Sequence, residues 1–505
     1  MENTKIIETK YGKVQGYIDK GIKIFKGIPY AAPPIGDLRF KPPIPPKQLD
    51  GVFKAIEFSP ICPQVPVLPS AEWLFGTPLE ESEADSLTLN IWTPETDKKH
   101  RPVMFWIHGG DFNNGSSAQI AYDGLPLSLR GDVIVVTINY RLGPLGYLYI
   151  PDVSANVGQL DQIAALEWVK NNIEAFGGDP DNVTIFGESA GGSAVITLLA
   201  MPAAKNLFHR VIAQSTASYH SSLNEKKSDE FSSMLKVKPR DIEALQKVPV
   251  KKIKTTHRKQ ILRDYPEGRD NPFSPVVDEK NLPERPLKAI KGGFAKDITL
   301  LIGTNRDEMR IMRSILPDMP TVDQSELFKE ITDKLTLYGY EGKLAEELIK
   351  TYKKGREGIL PNTPQDIYEA FLTDLIFRIL AIRLAEAQHK HQPDTYMYLF
   401  TWPSPMMNGT LGSSHAVEVS FVFGTLDKPG ISDYTGKGKD ADILSEKIMD
   451  AWIAFARTGN PNHNNIPDWP PYSDKRETLI LDKEIKVEEA PFEIERKVWD
   501  RFKYI

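Results

Sequence analysis

The sequence predicts an α/β protein, a large and mostly parallel sheet flanked by helices, on three observations. Val133-Ile134-Val135-Val136-Thr137-Ile138 is apolar without alternation, as a parallel strand covered on both faces must be. An apolar run at 183–186 passes through a glycine-flanked serine into a helical run at 194–201. Strand-like and helix-like segments then alternate along most of the 505 residues, and such alternation lays helices over a parallel sheet.

Taken in order, residues 4–30 alternate polar and apolar positions about Gly12 and Gly16, which predicts a small antiparallel N-terminal sheet. Pro29, Pro33, Pro34, Pro42, Pro43, Pro45 and Pro46 forbid a continuous helix or central strand, so an extended wrap follows. Residues 61–82, with Pro66, Pro69, Trp73 and Pro78, read as irregular. Strands are expected near 87–92, 102–107 and 133–138. The helix expected near 159–175 has its apolar stripe in Ala164, Leu166, Trp168, Val169 and Ile173, and Gly177-Gly178 stops it. Beyond the strand at 183–186 and its helix, Phe208, Val211, Ile212 and Ala213 mark another strand.

Residues 221–270 are polar and Lys-rich, with short helical runs such as 241–246, and read as an insertion or cap. Lys251, Lys252 and Lys254 within it read as solvated surface. A short helix at 286–292 precedes a strand at 298–303, and helical periodicity dominates 326–353 and 364–389. The aromatic run 396–402 reads as a core strand and 441–457 as an amphipathic helix. A strand at 477–482 and a helix at 491–502 come last, with no internal repeat and no break of composition to mark a second domain.

A net charge of −6 argues against a surface dominated by nucleic acid or anionic membrane. No stretch approaches the roughly 18 apolar residues of a membrane span. The first thirty residues lack the basic region, apolar core and cleavage site of an export signal, so a cytoplasmic protein is expected. Cys62 is the only cysteine, so no intrachain disulfide forms. The nine histidines give no closely spaced ligand set, and neither a metal nor another cofactor is expected. Asn182 and Asn408 open glycosylation sequons that, without an export signal, read as coincidental.

The chemistry lies in Gly187-Glu188-Ser189-Ala190-Gly191, a G-x-S-x-G elbow between strand and helix. A turn that sharp leaves no room for side chains beside the serine. It lifts the hydroxyl above the sheet edge while the helix start aims N–H groups at any oxyanion that develops. Upstream, the apolar run 102–107 ends in His108-Gly109-Gly110, the kind of loop that supplies the other oxyanion donors in ester hydrolases built this way. The donors expected are Ala190, Gly110 and Asp111.

These motifs resemble the type-B carboxylesterase family of the α/β-hydrolase fold, which includes para-nitrobenzyl esterases, animal carboxylesterases and cholinesterases. The likeness spans nearly the whole chain. It runs through Gly27-Ile28-Pro29-Tyr30-Ala31, Leu38-Arg39-Phe40, Leu87-Thr88-Leu89-Asn90-Ile91-Trp92, the HGG loop, Asn139-Tyr140-Arg141-Leu142-Gly143, Gly158-Gln159-Leu160-Asp161-Gln162, the elbow and Gly303-Thr304-Asn305-Arg306-Asp307-Glu308. It implies one catalytic domain over residues 1–505, with cap or lid insertions near 61–82, 221–270 and 310–390, and a gorge wall in the first of these. It also implies a monomer or weak homo-oligomer acting on a small-molecule ester, with no nucleic-acid partner.

By the same resemblance the catalytic residues are Ser189, Glu308 and His415, the last in Gly412-Ser413-Ser414-His415-Ala416-Val417-Glu418. Glu188 and Ser215 are expected beside them, Glu188 either assisting electrostatically or serving as a structural carboxylate, and Ser215 either supporting the triad or serving as an ordinary turn or cap at its strand end. Arg141 and Asp161 stand where the family has a buried ion pair. The family's Glu-Asp-Cys-Leu is replaced by Ala84-Asp85-Ser86-Leu87, which leaves Glu83 or Asp85 to meet Arg39, and Ser86 where secreted relatives close a disulfide with the counterpart of Cys62. Thr216 replaces the family's glycine after Ser215, altering the acyl-pocket edge. Asp111 stands where many relatives continue the glycine run, and its side chain is expected to face outward or be paired. Phe112, Phe186, Phe377, Phe423 and Trp73 are candidates for either pocket wall or core. Amidase, thioesterase and lactonase activities use the same acyl chemistry and stay open. A catalytically silent binding protein is disfavoured because the serine, acid and histidine are all present.

Overall fold

The computed structural model describes residues 2–65, 79–217, 225–264, 271–315 and 321–502. Among them, twelve strands form one sheet in the order Glu2–Asn3, Tyr17–Asp19, Ile22–Pro29, Thr88–Thr93, Ile134–Ile138, Arg101–Ile107, Gly178–Glu188, Arg210–Gln214, Thr299–Asn305, Thr395–Phe400, Glu477–Leu481 and Lys486–Glu489. The run from Ile134–Ile138 to Glu477–Leu481 is parallel throughout, and the strands at both margins are antiparallel.

Side chains alternate between two apolar layers along each central strand, as the pleat requires. Phe105, Ile107, Val136 and Ile185 face one layer, shared with Ala165, Leu166 and Val169 of the helix Val157–Asn172. Met104, Trp106, Val135 and Phe186 face the other, shared with Trp452 and Phe455 of the helix Lys439–Thr458. That long helix ends at Gly459, whose φ of +83° is the left-handed cap glycine tolerates best. No helix of the described residues is long and apolar enough to cross a membrane.

The N-terminal segment departs from the single small sheet expected. Ile7–Thr9 and Gly12–Gln15 pair antiparallel and join Val52–Lys54 in a separate three-stranded sheet, whereas Tyr17–Asp19 and Ile22–Pro29 extend the main one. Gly16 sits at the changeover, where an added Cβ would lie 2.0 Å from the Ile24 carbonyl oxygen. The backbones approach too closely there for any other residue.

Other differences are of extent. The strand expected at 183–186 runs over Gly178–Glu188, and 326–353 divides into Leu327–Leu337 and Ala345–Arg356 about Gly339 and Gly342. The helical stretch 364–389 contains a π turn at Asp374–Arg378. The last helix is Glu493–Val498 with a 3-10 turn behind it. The charged edge strand Lys486–Glu489, which carries no apolar alternation, was not foreseen.

The insertion at 221–270 holds longer helices than expected, Glu225–Met234 and Val250–Asp264. Lys254 there forms an ion pair with Glu81 and Lys252 reaches the Leu235 carbonyl at 2.6 Å, so these two lysines are tied to neighbours. Residues 66–78, with Trp73 and most of the expected gorge wall, lie outside the described residues. So do 218–219 of the expected acyl-pocket edge, 221–224 and 265–270 of the insertion expected at 221–270, and 316–320 of the one expected near 310–390.

Candidate active site

The parallel strands Arg101–Ile107, Gly178–Glu188 and Arg210–Gln214 end side by side, and Ser189 stands between the middle one and the helix Ala190–Leu198. Its φ of 57° and ψ of −122° place it in a costly backbone region for a residue with a Cβ. The turn is held by Ser189 N–H donating to the Gln214 carbonyl at 3.0 Å and Ser193 N–H donating to the Ser189 carbonyl at 2.8 Å. Glycine is required on either side. A Cβ on Gly187 would lie 2.6 Å from the Gly191 carbonyl group, and one on Gly191 would lie 2.0 Å from the Ile107 carbonyl oxygen.

Glu308 and His415 arrive from loops 107 residues apart and meet at 2.7 Å, Oε2 to Nδ1. The other carboxylate oxygen of Glu308 accepts the Asn305 N–H at 2.8 Å, and the His415 N–H reaches the Glu308 carbonyl at 3.2 Å. Asp307 turns the opposite way. Its carboxylate accepts the Ser413 N–H and the Arg306 Nε–H, both at 3.0 Å, so it fastens the two loops together without touching the imidazole. Behind the ring, the Tyr434 hydroxyl donates to the His415 carbonyl, Asn305 Nδ2 donates to the Ser414 carbonyl at 2.9 Å, and the Phe377 ring lies 4.8 Å from the imidazole.

His415 Nε2 faces Glu188 Oε1 at 3.1 Å. A third buried carboxylate, Glu418, accepts Gln214 Nε2–H at 3.0 Å and Asn305 Nδ2–H at 2.6 Å. Burial pushes the Glu188 carboxyl up to about 8, with the charges of Glu418 and Glu308 adding to the shift against the pull of His415. Burial alone would lower His415, but the carboxylates of Glu188 and Glu308 outweigh it and raise the imidazole to about 9. Glu418 is likewise pushed up by burial and by Glu308, opposed by its two amide donors. The protonation states of Glu188, His415 and Glu418 thus depend on one another.

The loop after Ile107 packs onto the elbow. A Cβ on Gly109 would lie 2.7 Å from the Glu188 carbonyl oxygen and 3.2 Å from the Ser189 Cβ. Gly110, Asp111 and Phe112 follow with φ of +107°, +55° and +57°, a run of left-handed residues that reverses the chain. Burial lowers the His108 imidazole to about 4, so the neutral ring donates through Nδ1 to the Gly109 carbonyl at 2.8 Å. The Gly110 carbonyl accepts the N–H groups of Asn113 and Asn114 at 3.0 Å. The Asp111 side chain is exposed, and its carboxylate accepts Asn113 Nδ2–H at 3.1 Å.

Arg141 and Asp161 form a fully buried bidentate pair at 2.6 and 2.8 Å, and Arg39 pairs with Glu83 while Asp85 is capped by Ser82. Ser215 is buried, but its hydroxyl has no hydrogen-bond partner among the described residues, so it makes no bonded contact with the histidine or its acids. Of the aromatic candidates, Phe186 and Phe423 stack on one another and meet Trp106 edge-on in the core, and Phe112 packs on Tyr147, leaving Phe377 as the ring seen against His415. Sequence reasoning passed over Tyr434, and took Asn305 and Glu418 only as parts of motifs. Their signal lay in neighbourhood, Asn305 three residues before Glu308 and Glu418 three after His415.

A family described as "Carboxylesterase family" matches residues 3–499. A para-nitrobenzyl esterase of Bacillus subtilis (strain 168) is 40% identical over 506 residues, with 96% of each chain covered. A phenmedipham hydrolase of Pseudarthrobacter oxydans is 33% identical, with 95% of each covered. Among solved structures, a thermophilic PNB esterase superposes with a TM-score of 0.86 at 38% identity, covering 98% of this chain and 99% of its own. A Geobacillus stearothermophilus carboxylesterase does so with a TM-score of 0.85 at 36% identity, covering 98% and 100%.

Proposed function

The chain belongs to the carboxylesterase family, and from that premise we propose that it is a serine carboxylic-ester hydrolase acting through a Ser189–His415–Glu308 triad on small to medium, largely apolar esters. The observation that carries the reading is the 2.7 Å Glu308–His415 contact, with Glu188, the residue before the elbow serine, against the other imidazole nitrogen. The Ser189 Oγ attacks the ester carbonyl carbon as its proton passes to His415 Nε2. The carbonyl π electrons become an oxyanion held by the N–H groups of Gly110, Asp111 and Ala190. Collapse expels the alcohol, which leaves with the proton from His415, and the acyl group stays on Ser189. Water then attacks the acyl carbon, gives its proton to His415, and the second collapse frees the acid and returns that proton to Ser189.

Glu308 holds the Nδ1 proton in place and stabilises the imidazolium each time it forms. Phe377 beside the imidazole supports an apolar substrate. A single cysteine, buried with its thiol pushed up to about 12, supports a reducing, cytoplasmic setting. The reading is tested with p-nitrophenyl and naphthyl esters of increasing acyl length and a para-nitrobenzyl ester, beside an amide and a thioester. Turnover is expected for the esters and to fall when the acyl group is charged. Hydrolysis of the amide or thioester with none of any ester would overturn it.

Glu188 gives a pH test. Its negative charge favours protonated His415, so Glu188→Gln should make the base available at lower pH. The acidic limb of the kcat/KM profile is expected to move down by about one pH unit or more. A limb that stays in place in an active, folded variant would mean that Glu188 does not set the state of the base.

A further inference from the structure

The loop that carries two of the three oxyanion donors is fastened by its carbonyl groups, and one fastening comes from far away. The Gly110 carbonyl is held by the N–H groups of Asn113 and Asn114, and the Phe112 carbonyl by the Gly143 N–H at 2.7 Å. The carbonyl between them, on Asp111, accepts Asn271 Nδ2–H at 2.5 Å, across 160 residues of sequence. The orientation of that amide is fixed, because Asn271 Oδ1 accepts the Phe273 N–H at 2.8 Å and leaves Nδ2 as the donor. Phe273 is fully buried, edge-on to Phe231 and His257 from the helices Glu225–Met234 and Val250–Asp264. The His257 ring also closes over Gly143, where an added Cβ would lie 2.8 Å from it. The polar insertion and the segment directly after it therefore bear on two neighbouring carbonyls of the loop, through Asn271 at Asp111 and through Gly143 at Phe112.

We propose that Asn271 is a positioning residue for the oxyanion loop, the point at which the segment leaving the insertion holds the Asp111–Phe112 peptide plane. The inference rests on the reading of Gly110, Asp111 and Ala190 as the oxyanion donors. Asp111 and Phe112 both hold φ near +55°, which a residue with a Cβ keeps only when its flanking peptides are tied. Without the Asn271 donor the Asp111 carbonyl loses this tie, the two angles relax together, and the Asp111 N–H turns away from the site.

Asn271→Asp keeps the shape and the acceptor for Phe273 N–H but loses the donor to Asp111, and Asn271→Ala, which adds no charge beside the oxyanion, must show the same loss. Expected are a fall in kcat of about tenfold, a KM within about twofold of the parent, and an equal tenfold loss of affinity for a trifluoromethyl ketone, whose adduct on Ser189 bears the oxyanion. A role confined to folding would lower the melting temperature without separating kcat from KM or weakening the ketone selectively. Folded Asn271→Asp with parental kcat and ketone affinity would overturn the proposal, as would a loss confined to KM. If Asn271→Asp does not fold, Asn271→Ala is read by the same criteria. A parent enzyme that a fluorophosphonate fails to label at Ser189 would instead bring down the underlying functional reading.

Discussion

Ser189→Ala is expected to lower ester turnover by several powers of ten and to abolish labelling by a fluorophosphonate, in a protein that keeps its fold. The fold should survive for a local reason. The strain at position 189 comes from a Cβ at φ of 57°, and alanine carries the same Cβ, so the replacement adds none. The contacts that hold the turn, to Gln214 and from Ser193, use backbone atoms that the variant retains. What disappears is the proposed nucleophile, and with it the split of one difficult step into two easier ones. The residual rate then measures what the oxyanion loop and substrate binding give to direct attack by water. The checks are kcat on one activated ester and the stoichiometry of labelling by mass spectrometry. Stoichiometric labelling of the folded variant would remove Ser189 from the chemistry.

The elbow was legible because its constraints are local. Gly187 and Gly191 are required by atoms within a few residues of them or on the adjacent strand, and that requirement leaves its mark on consecutive positions. The uniformly apolar run ending at Ile138 was legible for a similar reason, since cover on both faces removes alternation. Long-range choices left weaker marks. Glu83, not Asp85, meets Arg39, and nothing in the spacing separates two acids two residues apart. Phe186 faces Trp106 because the register of the sheet turns it that way, and Phe423 reaches the same ring from the short helix Val419–Phe423, which composition does not record. The strand Lys486–Glu489 is specified by pairing with Glu477–Leu481 and not by apolar residues of its own. The division of the N-terminal strands between two sheets depends on the close approach at Gly16, which sequence shows only as a glycine.

Glu308→Gln is expected to cost at least about tenfold more turnover than Asp307→Asn, and the reason lies in what each carboxylate accepts. Glu308 accepts twice, from His415 Nδ1–H on one oxygen and from the Asn305 N–H at 2.8 Å on the other. Glutamine has one acceptor and one donor in that space, so one of the two N–H groups must face an NH2. If the amide nitrogen turns to His415, the imidazole is pressed into the tautomer with its proton on Nε2, where it cannot take the Ser189 proton. If it turns to Asn305, the acid loop loses its tie, and the imidazolium formed during attack still has no negative partner on Nδ1. Either arrangement raises the barrier, and a tenfold effect needs only about 1.4 kcal/mol. Asp307 makes its contacts elsewhere, to Arg306 and to the Ser413 N–H, so Asp307→Asn weakens loop docking while leaving the imidazole its acid. Its signature is a lower melting temperature with kcat largely kept. Both variants are compared by circular dichroism and by kcat on the same ester across pH. Near-normal turnover by Glu308→Gln beside a collapse in folded Asp307→Asn would transfer the role of the acid to Asp307.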